Sequence, residues 1–449
     1  MKVVKFGGSS VASPEQFQKV ANIVLADRKR KFIIVSAPGK RHDVDRKMTD
    51  LLIQLADSVA EGRDDSAAFA SVMERYQEIV TGLSLEKLFV SEIQRNLQET
   101  IARYRHDRKR LMDSLKASGE DNNARLMAAY ITTLGQEAYY VSPKEAGMVV
   151  TNEPGNARIL PEAFERIGTS LKNREGILVI PGFFGYSKEG HIVTFPRGGS
   201  DITGSIIAAG VEAEEYENFT DVDSIYSVNP KLVRNPAEIK ELTYREMREL
   251  AYAGFSVFHD EALQPVFHKK IPVCVKNTNH PEAPGTSIVS AREPNGYPVV
   301  GIASDKGFCS INITKYLMNR ELGFGRRLLE ILEDEHISYE HTPSGIDNIS
   351  VIVRAHQLEN GKEERILQRI CTELLVDEVH VERNLGMVMV VGEGMAKTVG
   401  IAAKAANALA EAGINIKMIN QGSSEVSMMF GVDDYQVNEA LTALYHAFF

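Results

Sequence analysis

Several loops of this sequence combine glycines with charged and hydroxyl side chains in a pattern that suits a polyanion. The first, Lys5-Phe6-Gly7-Gly8-Ser9-Ser10, joins an opening strand to a helix expected to start near Ser13, where Ser13-Pro14-Glu15-Gln16 has the form of a capping box. Glycines let backbone amides approach an anion, helix-terminal amides favour negative charge, and a strand-end lysine adds a point charge for a phosphoryl group. The alternative is a tight turn with a surface lysine, and the spacing is not that of a Walker A loop. The second loop, Thr194-Phe195-Pro196-Arg197-Gly198-Gly199-Ser200-Asp201, should follow a hairpin and open a helix over 202–209. Arg197 offers a fork for a carboxylate, and Asp201 either caps the helix or does chemistry. In the third, residues 219–231 (FTDVDSIYSVNPK), a strand runs straight into polar turn residues, the usual place for a nucleotide at the carboxyl edge of a parallel sheet. There Tyr226 can stack on a purine and Lys231 can pair with phosphate, or both can be ordinary loop residues. A fourth segment, Ser118-Gly119-Glu120-Asp121, reads as the first turn of a helix, where acidic residues commonly complement the dipole, so Glu120 by itself reads as structural.

The elements that must position these loops alternate. Short β-branched runs at 3–6, 32–35, 177–180, 216–219 and 271–275 are separated by helical stretches, the pattern of an α/β sheet with helices on its faces. Residues 64–134 read as almost wholly helical, with Leu85, Phe89, Ile93, Leu97 and Ile101 each four residues after the last. This block is expected to pack over one edge of the sheet. Residues 279–298, rich in Pro and Gly, read as a linker. Beyond them an offset of 77 residues aligns Gly323 with Gly400, Leu332 with Leu409, Ile337 with Ile414, Gly345 with Gly422 and Ser350 with Ser427, which implies a duplicated βαββα unit.

Composition narrows the partners. A chain of 449 residues should hold two or three domains, and 43% hydrophobic with 25% charged residues is ordinary for a soluble globular protein. A net charge of −10 leaves no basic excess for nucleic acid or an anionic membrane. The basic run at 103–110 is interrupted by polar and acidic residues and reads as a solvated helix face. Cys274, Cys309 and Cys371 have no paired spacing, so neither a metal site nor a disulfide framework is expected, and the first two should be buried. With no basic-then-apolar leader and no apolar run of membrane length, the expectation is a cytoplasmic location.

Taken together, KFGGSSVAS, TFPRGGSD, FTDVDSIYSVNP and the doubled C-terminal unit resemble the aspartate kinases, most closely the monofunctional, lysine-sensitive type. The resemblance covers essentially the whole chain. It implies the amino acid kinase fold, a three-layer α/β arrangement of a mainly parallel sheet with helices on both faces, followed by two ferredoxin-like ACT units. Residues 1–278 would be catalytic and 279–298 a linker. One ACT unit would span 306–385, inserted within a second made of 299–305 and 386–449. The implied reaction is phosphorylation of the aspartate side-chain carboxylate by ATP, with Mg²⁺ bound alongside the nucleotide and no metal site of the protein's own.

The same resemblance places the site. Lys5, Phe6, Gly7 and Gly8 match the phosphate-binding strand and loop; Thr49, Glu120, Arg197 and Ser200 match aspartate contacts; Thr220, Asp221, Tyr226 and Lys231 match the nucleotide loop. Asp201 matches the acidic group beside the transferring phosphoryl, in company with Lys5. Two departures stand out: Ser256 sits where many members carry a nucleotide-contacting lysine, for which Lys276 is a candidate substitute, and Asn229-Pro230 replaces Asp-Pro. An amino-acid effector, lysine first among candidates, would bind where ACT units of two subunits pair, at Met318, Glu321, Gly323, Phe324, Gly325, Ser338, Tyr339 and Glu340 with the turn 344–347, in a homo-oligomer. The alternatives are another acceptor on the same fold (glutamate, carbamate or a nucleotide) and a non-catalytic amino-acid sensor. Glu120 with Arg197 argues for an acceptor bearing both ammonium and carboxylate.

Overall fold

The computed structural model describes residues 1–196, 198–255, 258, 260–293 and 297–449. Its contacts divide the chain into two compact units, one of Met1–Ile225, Glu238–Met247 and Ser256–Arg292, the other of Tyr226–Ala237, Arg248–Phe255 and Glu293–Phe449. In chain order the strands up to residue 289 are β1 (Lys2–Phe6), β2 (Arg30–Val35), β3 (Ala138–Tyr140), β4 (Ile177–Pro181), β5 (Phe184–Tyr186), β6 (Ile192–Thr194), β7 (Glu215–Thr220), β8 (Ile225–Tyr226), β9 (Glu238–Ile239), β10 (Glu241–Thr243), β11 (Val273–Asn277) and β12 (Thr286–Val289). The helices over the same stretch are α1 (Pro14–Ala26), α2 (Met48–Ala60), α3 (Ser66–Gly82), α4 (Leu88–Tyr104), α5 (Arg108–Thr133), α6 (Pro143–Ala146), α7 (Glu162–Leu171), α8 (Gly199–Val211), α9 (Tyr244–Tyr252) and α10 (Gln264–Lys269).

Among the described residues the first unit is built on an eight-stranded sheet of order β10-β12-β11-β7-β1-β2-β4-β3. Every neighbouring pair is parallel except β11 with β12. Strand alternation divides the side chains between two faces. Val4, Phe6, Ile33, Val35, Val179 and Phe219 form one core with Phe17, Leu52, Leu55, Tyr76, Leu97, Leu115 and Met127 of α1 to α5. The helical block therefore covers a face of the sheet and not merely an edge, because that apolar face needs a cover as wide as the strands themselves. The opposite face receives α8, against which α7 and α10 pack. Ser13 accepts a hydrogen bond from the Gln16 amide at 3.4 Å and Pro14 opens α1, but the Gln16 side chain turns to Asn279, so the capping box is half formed. The stretch 279–298 is not a linker throughout: β12 lies in it, antiparallel to β11. Gly285, at φ +74°, sits where a Cβ would lie 2.1 Å from the Val275 carbonyl oxygen, so the glycine that suggested a flexible link instead closes a hairpin.

The second unit holds a five-stranded antiparallel sheet among the described residues. Its strands are β13 (Gly301–Thr314), β14 (Asn348–Arg354), β15 (Glu378–Val391), β16 (Met418–Gln421) and β17 (Ser427–Asp433), in the order β14-β13-β15-β17-β16. Four helices cover it: α11 (Phe324–Asp334), α12 (Lys362–Leu374), α13 (Ile401–Glu411) and α14 (Val437–Phe448). β13 and β15 are long enough to serve two cores. Cys309, Ile311 and Ile313 pack with Leu328, Leu332, Ile366 and Ile370, whereas Ile302, Val388 and Val390 pack with Ala405, Leu409, Phe430 and Leu441. The ladder between them is irregular from Asp305 to Phe308, where one core gives way to the other. The repeat seen in the sequence is structural: Gly323 and Gly400 are the N-cap residues of α11 and α13, both left-handed at φ 76° and 93°. Leu332 with Leu409 and Ile337 with Ile414 are buried pairwise.

Gly204, mid-helix in α8, faces the fully buried Tyr216, whose ring and hydroxyl would lie 2.4–2.6 Å from an added Cβ. The Tyr216 hydroxyl donates to the Asp201 carbonyl at 3.2 Å, so the ring has no room to retreat. Gly204→Ala should destabilise the protein by about 1–3 kcal/mol through overpacking. Thermal unfolding of the variant beside the parent measures it, and an unchanged midpoint would contradict the packing described.

Candidate active site

The parallel register brings the chemistry-bearing loops to one edge. Phe6 is level with Val35 and with Phe219, and Val35 with Pro181, so the chain leaves β1, β2, β7 and β4 side by side. Backbone bonds lock the exits: Gly7 N to Phe219 O at 3.0 Å, Ser36 N to Phe6 O at 3.2 Å, and Gly182 N to Val35 O at 3.0 Å. A cavity of about 750 Å³ opens there. Its walls include Lys5, Gly7, Gly8, Ser9, residues 36–43, Lys47, Thr49, Glu120, Phe183, Gly198 to Asp201, Thr220 and Asp221.

Lys5 alternates with Val4 and Phe6, so it faces the α8 side of the sheet, where its Nζ meets Asp201 Oδ1 at 2.6 Å. Asp201 lies inside the first turn of α8 and also accepts from Asn218 Nδ2 at 2.9 Å. Its carboxylate is thus committed to these side chains, and the N-cap position belongs to Gly198 at φ 76°. The end of β6 is held by the buried Asp113 of α5, which accepts from the Thr194 amide at 3.1 Å, the Thr194 hydroxyl at 2.8 Å and the Gly155 amide at 3.0 Å. Arg197 lies outside the described residues.

Glu120 is in the middle of α5 and not in a first turn, because Leu111 and Leu115 extend the buried helix face upstream. The helix dipole therefore does not explain it. A Cβ on Gly119 would lie 2.9 Å from the Ala37 side chain, so at this point α5 runs hard against the loop after β2, and Glu120 is carried into the cavity wall. Burial pushes the Glu120 carboxyl up to about 8, against the opposing pull of hydrogen bonding from the Ala37 backbone and of the Lys116 charge. Its Oε2 is buried with no hydrogen-bond partner among the described residues. Such a carboxyl is an acceptor waiting for a donor.

The other expected positions separate. Thr49, Ser200, Gly7, Gly8, Thr220 and Asp221 line the cavity. Phe6 is wholly buried and stacks on Phe219 at 5.1 Å, so its side chain belongs to the core. Lys276 pairs in register with Phe219 and does not line this cavity. Tyr226 and Lys231 lie on 226–237, in the second unit, and Ser256 is outside the described residues. Sequence reasoning missed the loop after β2. Ser36-Ala37-Pro38-Gly39-Lys40 passes so close to the first loop that a Gly39 Cβ would lie 2.5–2.7 Å from the backbone of Gly8 and Ser9. A Pro-Gly turn followed by several basic residues directly after a buried strand was the available signal.

The amino acid kinase family matches residues 1–277, and an ACT domain matches 388–448. Aspartokinase 3 of Bacillus subtilis (strain 168) is 56% identical across 100% of this chain and 99% of its own length. The chain belongs to the aspartokinases of the amino acid kinase family. The crystal structure of Clostridium acetobutylicum aspartate kinase superposes with a TM-score of 0.87 at 38% identity, covering 100% of both chains. E. coli aspartokinase III, solved in complex with aspartate and ADP, shares the fold at a TM-score of 0.80 and 23% identity, covering 100% of this chain and 99% of that one.

In the second unit of this enzyme the positions matched to an effector divide between the two ends of α11, Met318 to Gly325 at its start and Ser338 to Glu340 in the chain that follows its last residue, Asp334. Glu321 pairs with Lys315 at 2.5 Å and with Arg327, while Met318 and Phe324 are buried. The turn 344–347 is tied to the same loop: Leu317 N donates to Asp347 Oδ1 at 2.9 Å and Asn319 N to the Ile346 carbonyl at 3.2 Å. Gly325 faces open space, Ser338 donates to Gln357 Oε1, and Tyr339 is exposed. Glu340 differs from a solvent-facing strand residue. It accepts from the Tyr252 hydroxyl through one oxygen and from Arg354 Nε at 3.3 Å through the other.

A carboxyl whose pKa rises on folding makes the folded state bind the extra proton, so its contribution falls as pH climbs from the unfolded value toward the folded one. Glu120 should therefore lower the stability of the empty enzyme between about pH 5 and 8 by up to roughly 1.4 kcal/mol per unit. Glu120→Gln should flatten that decline. Denaturant titrations at pH 5, 6.5 and 8 test it, and parallel curves for variant and parent would refute the buried-carboxyl assignment.

Proposed function

We propose that the cavity at the carboxyl edge is where this aspartokinase transfers the γ-phosphoryl group of ATP to the side-chain carboxylate of L-aspartate. The observation that carries the reading is the meeting, in one cavity, of the Lys5–Asp201 pair with a buried Glu120 carboxyl whose Oε2 has no hydrogen-bond partner among the described residues. The acceptor is already an anion, so no base is required: a carboxylate oxygen attacks the γ-phosphorus, the bond to the bridging oxygen breaks, and ADP leaves with the electron pair. The demands on the protein are alignment and charge neutralisation. Lys5 stabilises the oxygens of the moving phosphoryl, Asp201 and Asn218 hold Lys5 in place, and the amides of Gly7 and Gly8 approach the phosphates. Glu120 takes the α-ammonium of aspartate with Thr49 and Ser200 beside it, and Arg197 takes the backbone carboxylate. Thr220, Asp221, Tyr226 and Lys231 serve the nucleotide. Mg²⁺ would be held chiefly by the phosphates, and Asp201 and Asp221 of the cavity wall are carboxylates that could contribute to holding it. When bound, Mg²⁺ would neutralise phosphate charge.

The two cores of the second unit support a pair of ACT units, 306–385 and 299–305 with 386–449, and the catalytic unit then extends through β12. An amino acid, lysine by the resemblance, binds around Met318–Gly325 and Ser338–Glu340 at a junction between two copies of the chain. Leu322 at 97% exposed, Tyr316 at 73% and Ile346 at 69% support such a junction, since apolar side chains so grouped are normally covered. No helix among the described residues is long and apolar enough to cross a membrane, and the cytoplasm is the proposed location.

Lys5→Ala should cut turnover by about 10²-fold or more in an ATP-dependent hydroxamate assay with aspartate; near-parental turnover would remove Lys5 from the mechanism. Because Glu120 holds a proton below about pH 8 in the empty cavity, aspartate binding at pH 7 should release one as the ammonium arrives. Calorimetry in two buffers of different ionisation enthalpy reads that release. Glu120→Gln should abolish it and raise the aspartate KM by about tenfold or more. Glu340→Ala should move the lysine inhibition curve at least about tenfold, within the usual range of allosteric coupling, at fixed aspartate and ATP. Superimposable curves would place the effector elsewhere.

A further inference from the structure

Helix α3 contributes nothing to the cavity wall, yet its Arg75 is a charged side chain only 3% exposed, and all its polar partners lie on the loop that forms one wall. Nη1 donates to the Gly39 carbonyl at 2.8 Å. Nη2 donates to both oxygens of Asp45, at 2.9 and 2.8 Å, and lies 3.1 Å from the Arg46 carbonyl. Near its start the loop is also attached through Ser36 N to Phe6 O at 3.2 Å, Asn123 Nδ2 to Ser36 O at 2.7 Å and Gly39 N to Gly8 O at 2.8 Å, and Met48 N closes it onto Pro38 O at 2.9 Å; it presents Lys40 and Lys47 to the cavity, with Thr49 just beyond. Arg41 also grips Asp45, at 2.9 Å, but from within the loop, so that pair travels with the loop and cannot anchor it. Arg41 reaches α3 only through Glu78, in a partly exposed ion pair of the kind worth little. A buried guanidinium is costly to desolvate, and here its donors go to backbone carbonyls and a carboxylate of one irregular segment.

We propose that Arg75 is a positioning residue for phosphoryl transfer. By fixing Gly39, Asp45 and Arg46 together it keeps the loop against Gly8 and sets the start of α2, so that Thr49 meets the acceptor and Lys47 lends its charge on the acceptor side. This rests on the reading of the cavity as the active site. Arg75→Ala leaves Asp45 its Arg41 partner, so the loss is of anchorage and not of all charge compensation. Turnover should fall by about 10²-fold, the scale of a small misplacement of reacting groups, while circular dichroism and the unfolding transition still report a folded protein. Millimolar guanidinium should then restore turnover by at least about tenfold, because a small cation can refill the vacated site, whereas Lys5→Ala should gain nothing from it. A folded Arg75→Ala enzyme within about threefold of the parent, or a loss that guanidinium does not relieve, would overturn the proposal. Should Arg75→Ala fail to fold, Asp45→Asn weakens the same anchor from the loop side and should lower turnover in the same direction; parental turnover there would equally overturn it. If Lys5→Ala proved fully active, it would be the reading of the cavity that failed, which separates the two outcomes.

Discussion

Parallel strands in register deliver their carboxyl ends to one line, and the first unit depends on that constraint. Phe6, Val35, Phe219 and Pro181 end neighbouring strands at nearly the same level, so four separate chain reversals must share one edge. None of the four loops could form the cavity alone. Crowding at the edge also dictates composition: Gly8, Gly39, Gly182 and Gly199 each stand where a Cβ would press within 3.0 Å of a neighbouring loop or side chain. Their role is close approach, whereas Gly198 and the non-glycine Phe183 both turn in the left-handed region at φ 76°.

Charge is placed on this frame unevenly. Lys5 and Asp201 neutralise one another while remaining at the cavity surface, and Asp113 is satisfied by amides and a hydroxyl. Among the described residues of the first unit, Glu120 is a carboxyl buried with one oxygen that has no donor. A structural carboxylate would be expected to carry its own donors, and an unpaired one is costly. On the proposed reading of the cavity, a substrate ammonium would relieve that cost, which would couple binding to ionisation and favour an amino acid over a plain carboxylate.

The second unit reaches its architecture by duplication with shared strands. Two long antiparallel strands run beneath both helix pairs, and the local irregularity at Asp305–Phe308 divides one core from the other. Around the start of α11 the backbone turns in the left-handed region at Leu317 and Gly323, and side chains of Lys315, Glu321 and Asp347 tie the turns together. Glu340 is held at the same time by Tyr252 and Arg354, so an ammonium arriving there would compete for a carboxylate already in use. On the proposed effector reading, that competition would be a physical means by which a small ligand changes the restraint on Tyr252.

The order of strands and helices, the glycine-paired loops with Lys5 and Asp201, the burial of Cys274 and Cys309, and the 77-residue repeat were all determined by the sequence by itself, because each rests on periodicity, turn chemistry or self-similarity over short range. Glu120, Thr49 and Ser200 became site residues there only through family resemblance, and the structure brings them to one cavity. What the tertiary structure decided depends on distance through space. The helical block spreads over a sheet face, β12 turns an apparent linker into a hairpin, and Glu120 sits mid-helix, because only the packed neighbours fix how far an apolar surface or a helix continues. Arg75, 36 residues from the carbonyl it holds, carried no local signal at all. On a helix an isolated arginine reads as solvated, and only the folded chain shows that it is buried against a loop of the cavity wall.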